Sequence, residues 1–277
     1  MNFFEKIVLA LSAEMPKQQG PFMPFHFIML AVIIALTVFT CLKFKNCSDK
    51  TFRLILLIVW IVLFLFEIYK QIVSPFSVDA NGNAVWDYNF NDIPFQFCSS
   101  IHYVLLPIVF LKEGKVRDAF ISFTMTFVFL AGAMVSIFPA QLADDQAIGI
   151  CIQTMIHHGL QVLVGAFIAV RMRNKYSIKF FLSGTIVFGV FLVVALILNA
   201  SLGPSVTKGE VINFFYISPY YGCSLPILSV IREMVPWPVF LIIYCIGFIV
   251  ISFIIYWVYV GIRQLSRLIT KKKQIKQ

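Results

Sequence analysis

Cys98, His102, His157 and His158 can move protons and make or break bonds, and all four lie in long apolar runs. A thiol beside an imidazole is the minimum for a thiolate nucleophile. The ring takes the thiol proton and later returns it to the leaving group. Acyl transfer through a thioester is the natural chemistry for that pair at membrane depth. Cys98 and His102 are four residues apart and share a helix face. Thr154, His158 and Gln161 share another face, with Cys151 one heptad before His158. Adjacent helical residues point about 100° apart, so one of His157 and His158 is expected to face the site. Glu67 is the carboxylate of this set, and Gln96, Gln153 and Gln161 are its uncharged members. Asn213 and Tyr216 belong to the outer connection that precedes the last apolar run.

Each of these has a plainer reading. A cysteine in an apolar run ordinarily serves as a small packing residue. Glu67 can simply pair with Lys70 at i+3. The chain has six cysteines but no CxxC, no HExxH, no H-x3-H and no zinc-finger spacing, so neither a metal nor a cofactor is expected.

The elements that position these residues follow from composition. Of 277 residues, 60% are hydrophobic and 13% charged, against about 25% charged in a soluble domain. Such a chain cannot cover a water-facing surface, and lipid must be its main solvent. Seven stretches are long and apolar enough to span: 25–42, 52–72, 95–111, 119–138, 148–170, 178–198 and 236–260. The expected fold is all-α, a polytopic membrane protein of seven transmembrane helices in one domain. Residues 1–24 form an N-terminal segment and 261–277 a basic tail. Residues 3–11 carry Glu5 and Lys6 and are too short for a signal peptide. They read as an interfacial amphipathic helix with Phe4, Ile7, Val8 and Leu11 on one face.

The net charge of +9 does not indicate nucleic acid, because the basic residues sit in short loops where they set topology. Lys43, Lys45, Lys50, Arg53, Lys112, Lys115, Arg117, Arg171, Arg173, Lys175, Lys179 and the tail fall on one side. Lys6, Lys17, Lys70, Lys208 and Arg232 fall on the other, together with Asp79, Asp87, Asp92, Asp144 and Asp145. The expectation is an outer N-terminus, a cytoplasmic C-terminus and a multi-pass position in the cell membrane. Asn81-Gly82 marks a turn in the connection after span 2. The aromatic, Pro-containing stretch 199–235 reads as a partly re-entrant or interfacial segment. At 1.5 Å per residue, His157 and His158 lie roughly 15 Å in from the outer surface. Glu67, Cys98 and His102 also fall in the outer half. Ionisable residues inside a span are costly and are functional hypotheses by default.

Several segments resemble a known family. Pro94-Phe95-Gln96-Phe97-Cys98 is similar to the LPLHLC signature of bacterial YwaF-like integral membrane proteins, which are grouped with the eukaryotic transmembrane protein 164. Glu67-Ile68-Tyr69, His157-His158-Gly159-Leu160, Asn213-Phe214-Phe215-Tyr216 and Val235-Pro236-Trp237-Pro238 resemble its E-x-W, HG, NYMYL and GPWPWY segments in order. Gln96 stands where bacterial members often have His, and Phe214 and Ile217 replace the Tyr and Leu of NYMYL. The resemblance implies a seven-helix fold and, from the eukaryotic relative, Cys-dependent phospholipid acyl transfer. Cys98 then matches the nucleophile position and His158 the base. Membrane lipids are the expected partners, as acyl donor and acceptor, with no nucleic acid. Gln96, Asn213, Tyr216, Glu67 and Gln161 are the expected substrate contacts. Two other readings stand beside this one: hydrolysis of a lipid or fatty-acid ester by the same pair, and a non-enzymatic binding or transport subunit.

Overall fold

A computed structural model describes residues 1–15, 17, 20–140, 142, 147–204 and 210–275. Asp144, Asp145, Lys208 and Lys276 lie outside the described residues. Helix α1 (Phe3–Leu11) begins at a capping box in which Asn2 and Glu5 bond each other's backbone N–H. Helix α2 (Pro24–Phe44) starts with Pro at its first position, and α3 (Asp49–Val73) is capped by Ser48. Strands β1 (Phe76–Val78) and β2 (Ala84–Trp86) form an antiparallel hairpin. Gly82 turns it at φ +82°, and Asp79 Oδ1 accepts from the Asn81 and Asn83 amides. The 3-10 turn Phe97–Ser99 leads into α4 (Ser100–Phe110). Helix α5 (Lys115–Phe123) continues through the π turn Thr124–Val128 into α6 (Phe129–Ile137). Helices α7 (Ile148–Arg171), α8 (Ile178–Ser201), the short α9 (Leu228–Met234) and α10 (Trp237–Ile275) follow.

Among the described residues seven of these helical stretches are long and apolar enough to cross a membrane. Six match an expected span to within about five residues, whereas the last runs on to Leu268 and continues the helix into the stretch expected as a basic tail. The protein is a multi-pass membrane protein, all-α apart from the hairpin. Helix α7 is the most enclosed span and α2 the least. Helix α7 packs against α2, α3 and α6, so its polar residues are taken out of lipid. Helix α2 instead exposes Phe27, Ile28, Val32, Ile34 and Phe39, which suits an acyl-chain environment. Gly132 of α6 meets α7 so closely that an added Cβ would stand 2.5 Å from Gln161 Cβ.

At one end of the bundle the loop arginines are tied into the fold. Arg117 is 2% exposed. Its Nε donates to the Ile108 carbonyl and its Nη2 reaches Asp49 Oδ1 at 2.8 Å. Arg53 donates to the carbonyls of Val109 and Leu111, Arg171 to Cys47 and Arg173 to Lys45. Guanidinium groups thereby satisfy carbonyls at the C-terminal ends of α2 and α4. The other end carries the hairpin, α1 and the 199–235 connection. Val8 is buried with Val73, Phe76 and Ile150, whereas Phe3, Phe4, Ile7 and Leu11 stay exposed. The apolar face expected of 3–11 is thus divided between a protein contact and the surroundings. In the connection Phe214, Phe215 and Ile217 are all buried against the bundle.

Candidate functional site

Helix α7 supplies two imidazoles and an amide to the turn that carries Cys98. His158 Nδ1 lies 2.7 Å from the Thr154 carbonyl one turn earlier. A carbonyl only accepts, so Nδ1 bears the proton and Nε2 holds the lone pair. That Nε2 is buried with no hydrogen-bond partner within the protein. His157 Nε2 lies 3.4 Å from the Cys98 carbonyl, which by the same logic leaves the lone pair on Nδ1, again buried and unpartnered. Gln161 Nε2 donates to the same Cys98 carbonyl at 3.0 Å. The Cys98 backbone is therefore tied to α7 by two side chains. Cys98 Sγ and one ring nitrogen from each of His157 and His158 all lie within 4.8 Å of one another.

These three residues line a cavity of about 270 Å³ together with Glu67, Lys70, Gln96, Gln153, Thr154 and Tyr216, among others. The expectation that only one of the adjacent histidines faces the site is corrected. Both line the cavity, with ring centroids 5.0 Å apart and planes at 74°. Their Cβ atoms diverge around the helix, but each ring can swing toward the shared side through its own χ angles. The i, i+4 relation of Cys98 and His102 also changes, because Cys98 sits in the 3-10 turn before α4 begins. His102 stands outside the thiol cluster, one layer behind it. Its ring is 5.3 Å from that of His157 and its Nε2 is 3.9 Å from Glu67 Oε2. Glu67 does pair with Lys70, at 3.0 Å, and also accepts from Gln71 at 2.7 Å.

Tyr216 reaches the cavity from a strained turn. Phe215 and Tyr216 have φ of 58° and 57°, left-handed values that cost a bulky residue about 1–3 kcal/mol each. Amides hold the turn in place. Phe215 N donates to Gln96 Oε1 at 2.9 Å, and Gln96 Nε2 donates to the Asn213 carbonyl at 3.1 Å. Asn199 bonds both the N–H and the carbonyl of Phe214. Asn213 donates to the Gly222 carbonyl and accepts from Ser218 N. The amides of Gln96 and Asn213 are thus engaged internally, and what the turn delivers to the cavity is Tyr216. Burial pushes the Tyr216 hydroxyl above the ordinary tyrosine range, with the nearby Cys98 adding to the shift, so it stays a proton donor.

The TMEM164 family model matches residues 21–256. The chain belongs to the TMEM164 family. No curated protein and no solved structure matches it. The matched range includes every residue of the cavity described above, whereas α1 and the end of α10 lie outside it.

Within this family member the sequence reading missed Asn199 and His26. Asn199 is a fully buried amide that follows an unbroken apolar run over residues 186–198, and that isolation was the available signal. His26 is also fully buried, yet both its nitrogens are engaged: Phe22 N donates to Nδ1 and Nε2 donates to the Ser136 carbonyl. It ties α2 to α6, in contrast to the partly orphaned rings of α7.

Proposed function

We propose that this TMEM164 family protein is a membrane-embedded lipid acyltransferase of the bacterial YwaF-like type, working through Cys98 in the outer half of the cell membrane. One observation carries the reading. The Thr154 carbonyl fixes His158 in the tautomer whose Nε2 holds the lone pair, that nitrogen is buried and unpartnered, and a ring nitrogen of His158 lies within 4.8 Å of Cys98 Sγ. His158 Nε2 takes the proton from Cys98 Sγ, and the sulfur attacks the ester carbonyl carbon of a phospholipid. The C–O bond to the glycerol oxygen breaks, the leaving alkoxide takes the proton from His158, and a thioester remains. A second lipid hydroxyl loses its proton to His158, attacks the thioester and releases the acylated acceptor and the thiol. The neutral Tyr216 hydroxyl donates to the oxyanion in both steps. His157 and Gln161 hold the Cys98 carbonyl and so aim the thiol. Lys70, a cation lining the cavity, attracts the donor's phosphate. The basic loops at the opposite end of the bundle support an outer-leaflet position for this end.

Hydrolysis by the same pair is the second reading. It is favoured by the polar cavity wall of Glu67, Asn91, Asp92 and Gln153, which admits water as acceptor. Purified protein in liposomes with a radiolabelled acyl donor separates the two. Transfer gives labelled acceptor lipid, whereas hydrolysis gives free fatty acid. Cys98→Ala should abolish both. Unchanged product from a folded Cys98→Ala protein refutes the nucleophile assignment.

A further inference from the structure

The Cys98 cluster has a second property that acyl transfer does not require. A soft divalent metal asks for a thiol that it can deprotonate, neutral imidazole lone pairs and a carbonyl or carboxylate that orients each ring from behind. All three are present. His158 donates Nδ1–H to the Thr154 carbonyl and leaves Nε2 buried without a partner. His157 donates Nε2–H to the Cys98 carbonyl and leaves Nδ1 without a partner. Both rings are 4% exposed, so their lone pairs are shielded from bulk water.

The spacing also suits a metal. Zinc bonds of about 2.0–2.3 Å at tetrahedral angles put neighbouring ligand atoms about 3.3–3.6 Å apart. Cys98 Sγ and one ring nitrogen of each histidine already lie within 4.8 Å of one another. Rotations of side chains alone can close the remaining gap, because the rings sit on one helix and the thiol on a short turn. The other free nitrogen nearby, His102 Nε2, lies in the layer behind, beside Glu67.

We propose that Cys98, His157 and His158 form a site for a soft divalent transition metal, with Zn2+ as its natural occupant, and that the bound metal takes the Cys98 thiol out of service. Binding breaks the Sγ–H bond and forms a metal–sulfur bond, and the proton leaves to buffer. The two imidazoles add lone pairs without changing protonation, and a water from the metal's own shell fills the fourth position. The sulfur lone pair needed for attack on a carbonyl, or on any electrophile, is then committed to the metal. This is regulation of the site proposed above, but its readouts do not depend on acyl transfer.

The experiment uses the full chain in detergent, with any affinity tag removed, stripped with a chelator and titrated with Co2+ alone. A thiolate-to-cobalt charge-transfer band should appear at one equivalent, and Zn2+ should bleach it. The band should vanish in Cys98→Ala and weaken at least tenfold in apparent affinity in His158→Gln, with folding checked by circular dichroism and gel filtration. Alkylation of Cys98, followed by mass spectrometry of its peptide, should slow at least tenfold at saturating Zn2+ and recover with chelator. Absence of the band in folded wild-type protein overturns the site, as does a band that survives Cys98→Ala. Unchanged or faster alkylation with metal bound overturns the loss of thiol reactivity. If no acyl product forms with or without chelator, acyl transfer fails as a function, while the cobalt spectrum and the alkylation rate still decide the metal site.

Discussion

Gly132→Ala tests whether the approach of α6 to α7 sets the geometry of the site. The new Cβ would stand 2.5 Å from Gln161 Cβ and 2.6 Å from the His158 carbonyl, where ordinary contact begins near 3.4 Å. Both neighbours belong to the segment that presents His158 and Gln161 to Cys98. Relief requires the helices to separate by about 1 Å, and overpacking of this kind costs about 1–3 kcal/mol. Replacing a helical glycine by alanine also returns about 1 kcal/mol of propensity. Gly189→Ala in α8 meets nothing within 4 Å and isolates that gain. The two variants should therefore differ in stability by about 1–3 kcal/mol, with Gly132→Ala the weaker. A misplacement of about 1 Å between nucleophile and base can lower a rate about 100-fold. Thermal unfolding in detergent and acyl exchange in liposomes read the two effects. If Gly132→Ala matches Gly189→Ala in both measurements, the close contact does not position the site.

Three further outcomes follow from the cavity wall and the opposite end of the bundle. Gln96→Leu strands the Phe215 N–H and removes one donor to the Asn213 carbonyl; at about 1–3 kcal/mol per stranded group it should lower the unfolding temperature and release Tyr216 from the cavity. Tyr216→Phe keeps the ring and loses the donor, so acyl exchange should fall about 100- to 1,000-fold without a change in unfolding; an unchanged rate removes Tyr216 from the mechanism. Arg117→Met should cost about 1.5–3 kcal/mol in thermal unfolding, short of a fully buried pair because Asp49 is a third exposed and keeps Arg53. Below its melting temperature the same variant should exchange acyl groups at the wild-type rate, since Arg117 lies away from the cavity.

The spans were legible because lipid imposes one composition on every residue that faces it, and a run such as 178–198 admits no other reading. The chemistry of Cys98 and of the α7 histidines was legible by type, since thiols and imidazoles stand out in apolar helices. Their mutual arrangement was not. Helical-wheel reasoning treated Cys98 and His102 as neighbours on one face, but Pro94 and the 3-10 turn at Phe97–Ser99 delay the helix until Ser100. It also sent His157 and His158 apart, because Cα directions do not report where a ring ends. The amide bracing by Gln96, Asn199 and Asn213 joins residues up to 119 positions apart, through bonds that no local pattern encodes. Arg117 looked like a topology signal and is also a buried clasp. Charge bias and carbonyl satisfaction both favour a guanidinium at that place, and sequence cannot separate them.

The contrast between His26 and the α7 histidines carries the argument from fold to function. A buried polar group without a partner costs about 1–3 kcal/mol, and more where no water can reach it. His26 meets that demand with Phe22 and Ser136, so a structural imidazole in this bundle can be fully satisfied. Around Cys98 the same demand is left open at His157 Nδ1, His158 Nε2 and Gln161 Oε1. Packing alone would favour an apolar residue at each of these positions, since aliphatic side chains would fill the space without the desolvation cost. Backbone carbonyls meanwhile fix which nitrogen of His157 and of His158 is left open. Orphaned acceptors, held in chosen tautomers around a thiol and beside a strained turn, are arranged to receive a proton or a cation. A carbonyl substrate or a metal would compete for the same lone pair on Cys98.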